Sequence, residues 1–566
     1  MRRPARLVPL LDWLPAYDRG NLRYDAIAGI TVAALVIPKA LGYAGIAQVP
    51  LEAGLYAAAA GALVYAVFGT SRQISTGPSS ALAAVAASAV ATAGLASGVQ
   101  SAQLVAAVTL VTGAAFLALA LFRMGWISQF LSKAVITGFL FGAAIEVVIG
   151  ELPKMSGTEA AGENSWQKLG DWLNTIGTFH RPTFTVAVLS LAVILGLRFV
   201  APKVPGALAL VVGGLVVSRV LDLAERGIAT VGEVPRGLPL PGLPPIEMFR
   251  DQLPTIGVAA VGLLLIGFSQ TAGDARTFAT RHRYRIDIDQ ESVAQGMSNV
   301  TAGLFQGMPV STSLSASSLN DAAGARTQMA SMVTGVVVLL TLFALAPLFS
   351  SLPKPVLAAL IIDAVVFGMM DVPEMQRLWR VKRTDFCIAV AAILGVVSVG
   401  VLAGVVVGII LSLGWLVYVS SHPAMPLLGR QPGTSAFRSL EEYPDGETYP
   451  GLLVVRLDGE LFFVTADALG DRLRDAVVNA ETAETAVTGV VIDCAGVNFI
   501  DSQGSAKLGE LAELGYEAGI SLRLARVKPP VMRVLRADGV AQQIGADHIH
   551  ANVDRAVEAE QSGPGG

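Results

Sequence analysis

Ile74-Ser-Thr-Gly-Pro-Ser-Ser-Ala81 is the stretch on which the reading of the fold turns. It passes from hydroxyl-bearing residues through Gly77 and Pro78 into serines, Ser79 among them, and then into an apolar run over 79–97. This is helix-start chemistry: Ser or Thr as the cap, Pro near the first turn. The pattern recurs at Gly307-Met-Pro-Val-Ser-Thr-Ser-Leu-Ser-Ala316, which carries Ser313, Leu314 and Ser315 into a short segment over 310–323.

The surroundings are those of a membrane. The chain has 566 residues, of which 53% are hydrophobic and only 15% charged, against about 25% charged in soluble domains. A spanning helix needs about 20 mostly apolar residues. Candidates are 25–47, 51–69, 79–97, 103–122, 133–151, 182–200, 205–223, 254–272, 292–308, 310–323, 328–348, 353–370, 384–400 and 402–421. Of these fourteen, 292–308 and 310–323 are short and rich in Gly, Ser and Asn. Lys and Arg gather in the loops after even-numbered segments, as at Arg276, Arg281, Arg283, Arg285, Arg377 and Arg380. That bias puts both termini in the cytosol, in a bacterial inner membrane. The expected boundaries are a cytosolic segment 1–24, a transport domain 25–422, a linker 423–444, a cytosolic domain 445–560 and a tail 561–566.

The two interrupted segments are third in the first seven and third in the second seven. Matching interruptions in two halves point to an inverted repeat with a binding site between them. A helix that starts inside the membrane leaves unpaired N–H groups aimed into the protein, and an anion can satisfy them. Ordinary Ser/Gly helix packing is the competing reading. Lys39 lies near the centre of the first span, beside Pro38, and a lysine there costs roughly 2.5–3.5 kcal/mol. It either supplies charge to an anion site or pairs with an intramembrane acid, Glu146 or Asp363. Tyr43 lies one turn on, on the same face. Gln270 is a neutral polar group within the eighth span. Asp274 reads as a solvated helix end paired with Arg276 or Arg281.

Two cysteines, Cys387 and Cys494, and scattered histidines offer no disulfide framework, and no metal site or cofactor is expected.

The stretches Ile37-Pro-Lys-Ala-Leu-Gly-Tyr-Ala44, Phe68-Gly-Thr-Ser-Arg-Gln-Ile-Ser-Thr-Gly-Pro78 and Phe305-Gln-Gly-Met-Pro-Val-Ser-Thr-Ser-Leu-Ser315, with Gly324-Ala-Arg-Thr327, resemble the sulfate permease family. The resemblance implies a polytopic α-helical membrane protein of 14 transmembrane segments in two inverted repeats of seven, with a core domain that moves against a gate domain. It implies an anion held between the starts of helices 3 and 10. Site-lining positions would then be Lys39, Tyr43, Ser79, Leu314, Ser315 and Ala316. It also implies a homodimer. Three positions depart from the family pattern: Lys39 replaces a usual Gln, Ala316 a common Arg, and Gln270 a usual acid. The first two read as one change, a cation leaving helix 10 and appearing on helix 1. Gln270 cannot titrate, so ion coupling at that position is in doubt.

After the linker, strand-like runs at Leu452–Asp458, Leu461–Val464, Gly489–Asp493 and Ser521–Ala525 alternate with helix-like runs at 466–480, 503–518, 529–537 and 551–560. This small α/β domain resembles the STAS domain of the same family, most clearly at Val497-Asn-Phe-Ile-Asp-Ser-Gln-Gly504, where Asp501 or Ser502 fits a helix cap. Residues 451–560 hold 10 Lys/Arg and 17 Asp/Glu, which argues against nucleic acid and for regulation or docking of a cytosolic protein. No catalytic constellation appears. The expected function is secondary transport of an inorganic anion, sulfate before bicarbonate. An anion channel or dicarboxylate carrier of the same fold is the alternative, and a nucleobase permease is disfavoured by Lys39.

Overall fold

The structure, a computed structural model, describes residues 8–95, 98–123, 133–159, 162, 164–201, 204–421, 423–482 and 486–562. Parts of the expected N-terminal segment (1–7), third span (96–97) and tail (563–566) therefore lie outside the described residues. The chain divides into two compact units, Met1–Ser412 and Leu413–Gly566.

The helices are α1 (Leu22–Ile46), α2 (Leu51–Phe68), α3 (Ser80–Thr92), α4 (Val99–Leu121), α5 (Lys133–Ser156), α6 (Arg181–Val200) and α7 (Gly206–Val220). They continue with α8 (Leu253–His282), α9 (Ile288–Leu304), α10 (Leu314–Ala322), α11 (Met329–Leu340), α12 (Lys354–Met369), α13 (Arg383–Val399) and α14 (Val401–Ser421). Short amphipathic helices at Ser165–Asn174, Ile246–Asp251 and Val372–Val381 lie between them. Eight of the described helices are long and apolar enough to cross a membrane: α1, α2, α4, α5, α6, α8, α11 with its continuation to Ser351, and α12 with its continuation to Val381. Of the shorter ones, α3, α7 and 406–421 are apolar.

Two segments differ from a plain span. The stretch 310–323 is not one helix but a strand, β2 (Val310–Thr312), followed by the nine-residue α10. Its counterpart is β1 (Thr76–Pro78), followed by α3. The segment 292–308 is α9, and it buries Gln290, Glu291, Ser292, Gln295, Ser298 and Asn299. A helix this polar among apolar neighbours calls for hydrogen-bond partners for its buried side chains.

Helix crossings in this unit rely on close backbone approach. A Cβ on Gly54 of α2 would come within 2.1 Å of the Ala40 carbonyl oxygen on α1. A Cβ on Gly138 of α5 would meet the Ala389 oxygen of α13 at 2.2 Å. Some buried charged groups are paired. Asp363 of α12, 6% exposed, accepts from Arg198 Nε and Nη2 of α6 at 3.0 and 2.7 Å. Glu374 takes Arg377 and Lys133.

The second unit has a four-stranded parallel sheet, in order β5 (Leu452–Arg456), β6 (Gly489–Asp493), β7 (Ser521–Ala525), β8 (Ile549–His550). A hairpin of β3 (Leu428–Arg430) and β4 (Phe437–Ser439) occupies the stretch read as linker. The expected strand at Leu461–Val464 is absent. Leu461 makes a single bridge to Ile500, and the chain turns there because Thr465 Oγ1 bonds back to the Glu460 carbonyl at 2.9 Å. The fourth strand is instead Ile549–His550, too short to stand out by alternation. Asp501 caps the helix Ser502–Glu517 by accepting from Gly504 N at 2.8 Å. Asp493, fully buried at the end of β6, forms a two-pronged pair with Arg526.

The α1–α2 crossing sets a test of the first unit. Gly54→Val drives a side chain into main-chain atoms that cannot step aside, so it should cost about 3 kcal/mol or more. A thermal melt followed by size-exclusion chromatography in detergent should show a lower midpoint and a smaller monodisperse fraction.

Candidate anion site

β1 and β2 pair antiparallel in the middle of the first unit, with Thr76 opposite Thr312, Gly77 opposite Ser311 and Pro78 opposite Val310. Each strand runs directly into a helix, so α3 and α10 leave the ribbon from opposite ends with their N-termini turned back towards it. Both starts are capped by serine. Ser79 accepts from Leu82 N and Ser313 accepts from Ala316 N, each at 3.4 Å. Each start therefore sets free N–H groups and the positive end of a helix dipole beside the ribbon.

An extended ribbon at this depth needs partners for its own polar groups. The neighbouring helices supply them. Asn299 of α9 accepts from Val310 N at 3.0 Å and donates to Val310 O at 2.9 Å. Gln295 donates to Thr76 Oγ1 at 3.2 Å. From α10, Ser317 Oγ accepts from Ser75 N at 2.9 Å and Asn320 donates to the Gln73 oxygen at 3.0 Å. From α11, Gln328 donates to the Ser71 oxygen and Ser331 to the Ile74 oxygen. The turn before β1 is gripped by Glu291, fully buried, which accepts from Thr70 N at 2.8 Å, Ser71 N at 3.1 Å and the Tyr65 hydroxyl.

Lys39 reaches this place from α1. Its Nζ donates to Ser315 Oγ at 3.3 Å, and Ser315 is in turn 3.2 Å from Ser313 Oγ. One lysine, the α10 cap and the first turn of α10 are therefore in direct contact. Neither acid weighed as a structural partner forms an ion pair with Lys39 among the described residues: Asp363 is held by Arg198, though its charge still acts on Lys39. Tyr43 is 8% exposed on the same helix. Leu314 and Ser315 are exposed at the start of α10. Ala316, a family site position, is 3% exposed and packed inside.

Gln270 and Asp274 serve the ribbon. Gln270 Oε1 accepts from Ser311 Oγ at 2.6 Å, and Asp274 Oδ2 accepts from Thr312 Oγ1 at 2.8 Å. Asp274 is thus no solvated end paired with arginine, and Arg281 instead pairs with Asp321 at 3.0 Å. The helix period puts residues 270 and 274 on one face, while the strand presents Ser311 and Thr312 in sequence. That match was visible only once β2 was known to be a strand. Glu291, Asn299 and Gln295 were also missed, because polar residues in a short apolar segment read as a poor span rather than as a set of ribbon clamps.

The sequence pattern described as Sulfate permease family matches residues 22–392, and that described as STAS domain matches 443–556. A probable sulfate transporter of Mycobacterium tuberculosis is 33% identical over 544 residues, 96% of each chain. The chloroplastic sulfate transporter 4.1 of Arabidopsis thaliana is 28% identical, over 98% of this chain and 82% of its own. Among solved structures, the murine Solute Carrier 26 family member A9 anion transporter matches with a TM-score of 0.87 at 21% identity, over 98% of this chain and 94% of its own. The transmembrane domain of the cyanobacterial bicarbonate transporter BicA matches at 0.58 and 22% identity, over 70% of this chain and 99% of its own. At these identities the two structures bear on the fold alone.

Removing a ribbon clamp should cost stability without touching any anion contact. Asn299→Ala leaves the Val310 N–H and C=O unpaired and buried, at about 1–3 kcal/mol for each group left unmatched. A lower thermal midpoint of the detergent-solubilised protein, larger than that of Ser298→Ala on the same helix, checks this.

Proposed function

The chain belongs to the sulfate permease family and is an anion transporter of the membrane, and from this premise we propose that it carries sulfate, with bicarbonate second, by an elevator-like alternating-access cycle. The observation that carries the reading is the Lys39–Ser315 contact at the α10 N-terminus. Two helix starts and one ammonium favour a small, compact anion of high charge density. The names of the relatives, sulfate transporters of a bacterium and a plant, support sulfate as first choice. The same reading has the anion touch Lys39, Tyr43, Ser79, Ser313, Leu314 and Ser315, with Gly77 leaving the ribbon's face clear and Gln270 bracing it. It also has both termini in the cytosol of a bacterial inner membrane and two copies in a dimer. The STAS unit, Leu413–Gly566 in its bounds here, is a docking or regulatory module.

The packing of α1 on α12 favours a moving interface. Gly42 and Gly45 of α1 face Leu360, Leu357 and Ile361 of α12 through carbon atoms, and among the described residues no hydrogen bond or ion pair joins the two helices. A surface of this kind slides without breaking polar contacts.

Uptake of labelled sulfate, bicarbonate and fumarate into proteoliposomes tests the proposal. A charge-assisted hydrogen bond contributes about 1.5–3 kcal/mol, so Lys39→Ala should weaken anion affinity about ten- to a hundredfold. Lys39→Arg should recover part of it. Saturable uptake is expected of a carrier; flux that stays linear in concentration identifies a channel instead. Lys39→Ala transporting as the wild type does would remove Lys39 from the site.

A further inference from the structure

A cavity of about 820 Å³ lies in the first unit away from Lys39 and Ser315. Its inner end is formed by Gly45 of α1 and Ala84 of α3, two residues past Tyr43 and five past Ser79. Five residues of helix rise about 7.5 Å. Its other end is the loop 48–50 and Gly98, on the side that the Lys/Arg distribution assigns to the outside. The cavity is thus the outer approach to the site between the site-bearing helices and α5 and α12.

Its wall holds two carboxylates of α5 that the transport reading does not use. Glu151 is 3% exposed. One of its oxygens takes Lys154 Nζ at 2.6 Å, and the other is buried with no donor. Glu146 lies further in. Its Oε2 is buried without a partner, and it makes no hydrogen bond or ion pair among the described residues. The charged groups facing it come from several elements. They are Glu52 at the start of α2, Lys168 of the helix Ser165–Asn174, Glu233 of the segment after α7, and Lys354 at the start of α12. Glu151 and Lys154 are on α5 itself. α3 carries no charged residue, those of α13, Arg383 and Asp385, lie at its far end, and of the arginines of α6, Arg198 is paired with Asp363 of α12 while Arg181 stands at the helix start. Among the described residues, Lys168 is the cation whose charge acts on Glu146.

A carboxylate oxygen cut off from both water and donors is tolerated neutral and is costly when ionised. The arrangement seen here, with that oxygen turned away from the cavity, therefore matches a protonated Glu146, and one that turns it to water matches an ionised carboxylate. An ionised Glu146 also sets a negative charge on the path of an incoming anion. We infer that Glu146 is a proton-binding gate residue, which takes a proton from the outer medium, becomes a neutral carboxylic acid, and so admits the anion to the Lys39 site. The proton returns to water when the cavity rehydrates and the carboxylate reforms. This places pH linkage on α5, although Gln270 of α8 cannot titrate. The inference rests on the transport reading above.

Proteoliposomes of the full chain, with the inner pH held neutral and the outer pH stepped from mildly alkaline to mildly acid, test it with labelled sulfate and labelled nitrate. Both anions keep their charge over that range. Wild-type uptake should rise as outer pH falls, by up to about tenfold per pH unit where Glu146 titrates. Glu146→Gln should hold the acid-side rate at every pH, and Glu146→Asp should restore the dependence. Lys168→Met removes the nearby cation that favours the carboxylate, so its midpoint should move to higher pH. Glu146→Gln keeping the wild-type profile overturns the inference alone, as does an unmoved midpoint in Lys168→Met should Glu146→Gln fail to fold. No wild-type uptake at any pH overturns the transport reading, and this inference with it.

Discussion

A bilayer offers backbone amides nothing to bond, and this chain sets two buried stretches of extended backbone among its apolar helices all the same. The antiparallel ribbon of Thr76–Pro78 and Val310–Thr312 is the consequence. Two short strands satisfy each other on one edge, and everything around them must satisfy the rest. That demand explains why α9 carries Gln295 and Asn299 where leucines would pack better, and why α10 and α11 turn Ser317, Asn320, Gln328 and Ser331 inward. It also explains Glu291, a buried acid held by four donors from Tyr65, Thr70 and Ser71 at the turn into β1. The candidate anion site follows from the same break, because a helix that begins among apolar neighbours has free N–H groups only at its start.

The fixed charges divide cleanly. Asp363, which could have neutralised Lys39, is held on two prongs by Arg198 from α6. Lys39 is left with a hydroxyl, Ser315, as its partner. A hydroxyl can be traded for an anion oxygen without stranding a carboxylate in the protein, and a salt bridge could not be opened so cheaply. Placing the cation on α1 rather than on α10 has a further consequence. Ala316 leaves the first turn of α10 slim, and the long lysine side chain reaches across from a different helix.

How much could be read from residues alone depended on the signal each element leaves. Runs of Pro, Gly and Ser at 74–81 and 307–316 announce helix starts because those residues are chosen for backbone reasons, and Ser79 and Ser313 are indeed caps. Long apolar stretches announce helices equally well. The partners of the ribbon do not announce themselves: Asn299 and Asp274 have no periodicity of their own and acquire meaning from a strand that is three residues long. The same limit applied in the STAS unit. Leu461–Val464 is apolar enough for a strand but makes only a bridge, while Ile549–His550 completes the sheet with two residues.

The clamps on the ribbon also bear on how the first unit can move. α8 is tied to β2 at two successive residues, through Gln270 and Asp274. α9 is tied at Val310, and α11 at the turn before β1. α1 joins the same group at its other end, where fully buried Asp25 accepts from Arg326 N, Thr327 N and the Thr327 hydroxyl. Shifting any one of these helices alone would strand buried polar groups, at about 1–3 kcal/mol each. Between α6 and α12 the Arg198–Asp363 pair plays the same role in a second group. The cheap displacement is therefore of one bonded group past the other, along the glycine-faced contact of α1 on α12. A displacement along that seam would leave the ribbon and its clamps intact.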